Sequence, residues 1–255
     1  MYTIILAAGL KKIKYSKIPA VLKPINKIPT ICNVIEQVLK MNTKEILIVV
    51  GRGKTIIEFM IQQHFSKRQL KKIKYITQEY QIINEKVRTM GTGDAINCCI
   101  PYLKSIRKSG NEQIIILPGD IPFINNKIIN LLLSKNNSIL TSNISEPLGC
   151  GRVFTNKYDI ITNIIEENEC NIEEEKCCHI NCGVYNLNIN TIVNYVPLIR
   201  NDNNNHEFYL TDIVEVARIH GIVIHSILLS YKNAMKIFSV NSQSDIEIST
   251  GNLQN

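Results

Sequence analysis

Four apolar runs set the fold class. "TIILA" (3–7), "EILIVV" (45–50), "KIKYIT" (72–77) and "QIIILP" (113–118) are short, rich in Ile and Val, and bounded by polar or turn residues. Such runs read as strands buried on both faces, the pattern of a parallel sheet. Between them, "PTICNVIEQVLKM" (29–41), "KTIIEFMIQQHF" (54–65) and "GTGDAINCCIPYL" (91–103) have helical periodicity. Strands alternating with helices predict an α/β domain with a mainly parallel sheet, whose ligands bind beyond the carboxyl ends of its strands.

The second half is less regular. "SILTSN" (138–143), "RVFTN" (152–156), "HINCGVYNL" (179–187) and "IVIHSILL" (222–229) read as strands and "YLTDIVEVARIHG" (209–221) as a helix. The asparagine-rich stretch 200–207 is a polar loop. No internal repeat or linker divides the 255 residues, so a single domain over 1–255 is expected.

Composition narrows the partners. The chain is 45% hydrophobic and 20% charged, an ordinary globular balance. No apolar run approaches the ~18 residues of a membrane-spanning helix, and no basic segment precedes the first apolar run as in a signal peptide. A cytoplasmic protein with no membrane partner is expected. The net charge of +7 raises the possibility of nucleic acid. The lysines, however, are dispersed and not interleaved with aromatics, so no nucleic-acid partner is expected. Eight cysteines suit a reducing compartment. Four of them, with His179, crowd into 170–182, but they lack the paired spacing of a zinc site and read as small apolar residues beside a strand.

Three loops offer chemistry. "LAAGLKKIK" (6–14) follows the first strand as a phosphate loop would, although lysines stand where glycines usually turn such loops. "MGTGDA" (90–95) sets two glycines around Thr92 at a helix start, where backbone N–H groups can approach a base or phosphate. "LPGDIPFI" (117–124) presents Asp120 at a strand end, an oxygen ligand suited to Mg²⁺ or an ordinary turn aspartate.

These pieces, with "PAVL" (19–22), "TQE" (77–79), "PLGCGR" (147–152), "IIEEN" (164–168), "INCGVY" (180–185), "EFYLTDI" (207–213) and "FSVNS" (238–242), run colinearly over nearly the whole chain. In that order they resemble the sugar-nucleotide pyrophosphorylases, most closely the uridylyltransferase domain of bacterial bifunctional enzymes of UDP-N-acetylglucosamine synthesis. The resemblance implies a Rossmann-like, GT-A-like nucleotidyltransferase fold with a mixed, mainly parallel sheet flanked by helices. It implies that UTP and N-acetylglucosamine 1-phosphate give UDP-N-acetylglucosamine and pyrophosphate. By matching motifs, Asp120 and Asn241 would hold Mg²⁺. Leu6, Ala8, Gly9, Gln78, Gly91 and Thr92 would surround the nucleotide, and Gly151, Glu166 and Asn181 the sugar. The chain stops at Asn255, near the end of the resemblance, so the acetyltransferase β-helix of the bifunctional enzymes is expected to be absent.

The departures sit in the first loop. The family's G-T-R falls on Lys11, Lys12 and Ile13, and the lysine that follows its proline falls on Ala20. In one account Lys12, Lys14, Lys17 or Lys23 restores the charge, with Lys12 and Lys17 as catalytic candidates in a weakened enzyme. In the other, the protein binds nucleotide without turnover. A pyrophosphorylase for another sugar 1-phosphate is a further alternative. The stretch 80–90 exceeds the family's usual spacing and reads as a solvated loop or a lid, with Lys86 and Arg88 as possible phosphate contacts.

Overall fold

A computed structural model describes residues 1–10, 18–83 and 86–237. Its main sheet has nine strands: β1 (Tyr2–Ala7), β2 (Ile46–Val50), β3 (Ile73–Thr77), β4 (Gln113–Pro118), β5 (Ser138–Asn143), β6 (Arg152–Thr155), β7 (Ile161–Ile165), β8 (His179–Asn188) and β9 (His225–Leu229). The order β3-β2-β1-β4 is parallel throughout. β8 runs antiparallel beside β4, and β6 and β7 extend the sheet beyond it. β5 lies along the other side of β8 and pairs in parallel with β9. The sheet is therefore mixed, with a parallel core of four strands.

Side-chain alternation divides the core into two layers. Ile5, Ile46, Ile48, Ile115 and Leu117 meet helices Thr30–Lys40, Lys54–His64 and Asn126–Leu132 on one face. Ile4, Leu47, Val49, Ile114 and Ile116 meet helices Thr92–Asn97, Ile100–Ile106, Ile189–Tyr195 and Ile213–Ile219 on the other. Thr30–Lys40 shows why these helices dock: Ile31, Val34, Ile35 and Val38 fall on one stripe and are all buried.

Four sequence expectations need correction. The helix expected over 91–103 is two, Thr92–Asn97 and Ile100–Ile106, because Pro101 has no N–H to continue the first and falls in the opening turn of the second. The strand expected from 222 begins at His225, since Ile222 N–H is bonded to Ala217 O and Ile224 O to Ile161 N–H. Residues 209–221 open as a 3-10 turn, Leu210–Asp212, before helix Ile213–Ile219, which ends at Gly221 with φ +75°. The 80–90 stretch is a β-hairpin, Tyr80–Ile83 paired antiparallel with Lys86–Thr89, its Ile, Val and Thr suited to a ladder. No helix among the described residues is long and apolar enough to cross a membrane.

Candidate active site

The carboxyl ends of β1 and β4 open into a cavity of about 430 Å³. Leu6 stands near the end of β1, with Ala8 and Gly9 just past it, and Pro118 ends β4, with Asp120 just past it. Gly119 locks the two loops together: its N–H donates to Leu6 O at 2.9 Å, and a Cβ there would lie 3.0 Å from that oxygen. Ala20, on the 3-10 turn Ala20–Leu22, lines the same end.

Gln78, Gly91 and Thr92 close the next wall. Gln78 is buried, and its Nε2 donates to Gly91 O and to Asp94 Oδ2, both at 2.9 Å. The side chain thus ties the end of β3 to the start of helix Thr92–Asn97. The glycines of "MGTGDA" make backbone contacts that sequence alone did not reveal. Gly93 N–H donates to Phe208 O at 2.7 Å, and Phe208 N–H donates to Met90 O at 2.8 Å. A Cβ on Gly91, at φ +95°, would stand 2.5 Å from Phe208 O, and one on Gly93 2.9 Å. Thr92 Oγ1 accepts from Leu210 N–H at 3.0 Å. The segment 207–211 is clasped to the helix start by backbone contacts that only glycine permits.

That segment and β8 build the far end. Thr211 donates its hydroxyl to Glu166 Oε1 at 2.7 Å. Asn181 Nδ2 donates to Tyr185 Oη at 2.8 Å and Asn181 Oδ1 accepts from Gly183 N–H at 2.9 Å. All of these, with Glu207 and Tyr209, line the cavity. Gly151 stands behind this wall: its carbonyl accepts from Asn181 N–H at 2.9 Å, and a Cβ on it would be 3.5 Å from Glu166 Oε2.

The electrostatics are one-sided. Asp120, Glu166 and Glu207 line the cavity, and no described lining residue is a lysine or arginine. Burial pushes the Glu166 carboxyl above its usual range, and the Thr211 hydroxyl pulls it back. Burial raises Glu207 as well; the guanidinium of Arg88, on the hairpin, opposes this, while Glu166 adds to it. Asp212, just behind the cavity, is pushed up to about 7, by burial first and then by Glu166 and Glu215. A cavity so lined suits cations, hydroxyls and amides on its described side.

The structure brings together Leu6, Ala8, Gly9, Gln78, Gly91, Thr92, Asp120, Glu166 and Asn181 around one cavity and sets Gly151 behind the wall that holds Glu166 and Asn181. Lys12, Lys14, Lys17 and Asn241 lie outside the described residues. Lys23 and Arg88 are described and do not line the cavity. The sequence reading missed Tyr185, Glu207, Tyr209 and Thr211, although three of them stand within the "EFYLTDI" stretch it had singled out.

No protein-family model matches the chain. It is 31% identical over 254 residues to the "Probable UDP-N-acetylglucosamine pyrophosphorylase" of Acanthamoeba polyphaga mimivirus, an alignment covering 97% of this chain and 94% of that protein. It is 32% identical over 251 residues to the "Bifunctional protein GlmU" of Clostridium botulinum strain 657, covering 96% of this chain. The chain spans about half the length of that relative, 51%. Among solved structures, UDP-glucose pyrophosphorylase complexed with UDP-glucose superposes with a TM-score of 0.70 at 17% identity, over 98% of this chain and 97% of that one. HddC from Yersinia pseudotuberculosis does so with a TM-score of 0.60 at 18% identity, over the full length of both. At these identities the two structures speak for the fold.

Proposed function

Because this chain belongs to the sugar-nucleotide pyrophosphorylase family, we propose that it transfers the uridylyl group of UTP to N-acetylglucosamine 1-phosphate, releasing pyrophosphate. The observation that supports this reading is one cavity lined by Leu6, Ala8, Gly9, Gln78, Gly91 and Thr92 together with Asp120, Glu166 and Asn181.

In the proposed arrangement the base lies against Leu6, Ala8 and Gly9 and between Gln78 and the glycine-bordered start of helix Thr92–Asn97. Gln78 commits its amide NH₂ to Gly91 O and Asp94, which leaves its carbonyl oxygen as an acceptor suited to the imide N–H of uracil. Glu166 and Asn181 receive the sugar. Held by Thr211, the Glu166 carboxylate accepts from hydroxyls, and the Asn181 amide can serve an N-acetyl group or a ring hydroxyl.

The phosphate oxygen of the sugar attacks the α-phosphorus in line; the new P–O bond forms as the bond to pyrophosphate breaks. Such transfer depends on alignment and charge neutralisation, not on a covalent nucleophile. Among the described residues no group of three or more His, Cys, Asp or Glu side chains is placed to hold a metal ion. Mg²⁺ fits nonetheless, because it is commonly held by one or two carboxylates and by substrate phosphates. Asp120, with Asn241, would hold it, and when bound it neutralises phosphate charge. The lysines of residues 11–17 would supply the cations that the described walls lack.

The test sets four nucleoside triphosphates against a panel of sugar 1-phosphates, glucose 1-phosphate included, with pyrophosphate release as the readout. UTP with N-acetylglucosamine 1-phosphate should be preferred. Preference for another sugar would move the protein to a neighbouring activity, and tight UTP binding with no turnover on any sugar would make it a nucleotide-binding pseudoenzyme.

A further inference from the structure

The loop 147–151 enters β6 behind the sugar end of the cavity. Arg152, the first residue of that strand, is only 3% exposed, and the guanidinium turns back onto the loop it follows. Its Nη1 donates to Pro147 O at 2.9 Å and to Cys150 O. Its Nη2 meets Glu167 Oε1 at 3.4 Å. The second oxygen of Glu167 accepts from Gly149 N–H at 2.9 Å. Two side chains therefore grip the loop at three backbone points, on either side of the turn where Gly149 takes φ +75°.

Neither residue lines the cavity, so neither is placed to touch a substrate. Both adjoin residues that face it or back its wall. Glu167 follows Glu166, and Arg152 follows Gly151, whose carbonyl is bonded to Asn181 N–H. A buried guanidinium is tolerable when its donors are used and a counter-charge is near. Here Nη1 is spent on two loop carbonyls and Nη2 on Glu167, Nε is left without a hydrogen-bond partner, and the counter-charge also accepts from a loop N–H.

We propose that Arg152 and Glu167 are positioning residues for sugar recognition, holding loop 147–151 in the shape that sets Gly151 beside Glu166 and Asn181. This rests on the uridylyltransferase reading and adds residues to it that touch no substrate. Lysine cannot replace the arginine, because a single ammonium lacks the planar fork that spans two carbonyls and a carboxylate. Glutamine can partly replace the glutamate, because it keeps an acceptor for Gly149 N–H.

Steady-state kinetics on the whole chain test it, with UTP and N-acetylglucosamine 1-phosphate varied in turn and a thermal melt of every variant. Glu167→Ala and Arg152→Lys should each raise KM for the sugar phosphate at least about tenfold (about 1.4 kcal/mol) and leave KM for UTP within about twofold. Glu167→Gln should recover most of the loss. An unchanged sugar KM in both variants overturns the proposal even if they melt early, and so does an equal rise in both KM values, which is general loosening. A wild type without turnover on any sugar 1-phosphate overturns the parent reading, and the inference with it.

Discussion

Thr211 and Glu166, 45 residues apart in sequence, meet through a hydroxyl-to-carboxylate hydrogen bond of 2.7 Å in the wall of the cavity. The hydroxyl is buried and the carboxylate half-buried. A hydrogen bond to a charged group contributes about 1.5–3 kcal/mol. Thr211→Val should therefore raise KM for the sugar phosphate about tenfold or more, with Glu166 protonating more readily. Thr211→Ser should stay near wild type. Steady-state KM for each substrate checks this; a Val variant with normal KM would show that the bond serves folding alone.

Gly93 tests the clasp between the helix start and Phe208. A methyl there would stand 2.9 Å from a backbone oxygen that cannot rotate away. Gly93→Ala should cost about 1–3 kcal/mol of stability, the usual range for overpacking. UTP affinity should weaken with it, because segment 207–211 must retreat from Gly91. Denaturant unfolding and UTP titration measure the two effects.

Asp212 makes stability fall with pH. Its carboxyl rises from an ordinary 3.8 to about 7 in the folded chain, through burial and the neighbouring Glu166 and Glu215. Between those values the folded state holds a proton that the unfolded state has released, so this contribution is whole below the lower value and is lost as pH climbs through the upper one. Asp212→Asn escapes that loss. Its melting temperature should match wild type near pH ~4 and exceed it by a growing margin up to pH ~7, then level off. A margin that shrinks as pH rises would contradict the assignment.

Ala20 lines a cavity whose described walls carry three carboxylates and no cation. Ala20→Lys should raise turnover at least about tenfold, roughly 1.4 kcal/mol, by meeting charge that develops on the leaving pyrophosphate. UTP affinity should change less. If Lys17→Ala or Lys23→Ala is severely impaired while Ala20→Lys slows the reaction, a neighbouring lysine already fills the place.

Much of the fold was legible because its signal is local. Ile46–Val50 is five consecutive apolar residues, and only a strand covered on both faces makes sense of them. Glu166 and Asn181 were legible through motif order and do face one cavity. Thr211 was not, since nothing in "EFYLTDI" tells which side chain of this 3-10 turn reaches the carboxylate that follows β7. The clasp of Gly91 and Gly93 on Phe208 was hidden for the same reason: a glycine reads alike whether a ligand or a backbone approaches it. Gln78 was read as one of the residues around the nucleotide, and the structure adds that its amide is tied to Asp94, a partner whose place depends on the packing of helix Thr92–Asn97. The split of that helix at Pro101 was readable and was passed over in favour of a continuous apolar pattern.

The irregularity in β8 governs how this protein tolerates changes of length. On the β5 side, Asn181 pairs with Thr141 and Tyr185 with Ile139, so residues 182–184 stand opposite Leu140 alone. Two surplus residues are absorbed there, around Gly183 at φ +70°. An even surplus preserves which face each later side chain takes, whereas an odd one would invert it. Deleting one residue from 182–184 would turn Tyr185 and Leu187 out of the layer they share with Ile114 and Ile116 and turn the polar, buried Asn186 into it. Deleting two would restore an unbroken ladder with every later residue on its proper face, at the expense of the Asn181–Tyr185 hydrogen bond that the compressed strand brings within 2.8 Å. At this point in the chain, the smaller lesion is the more destructive one.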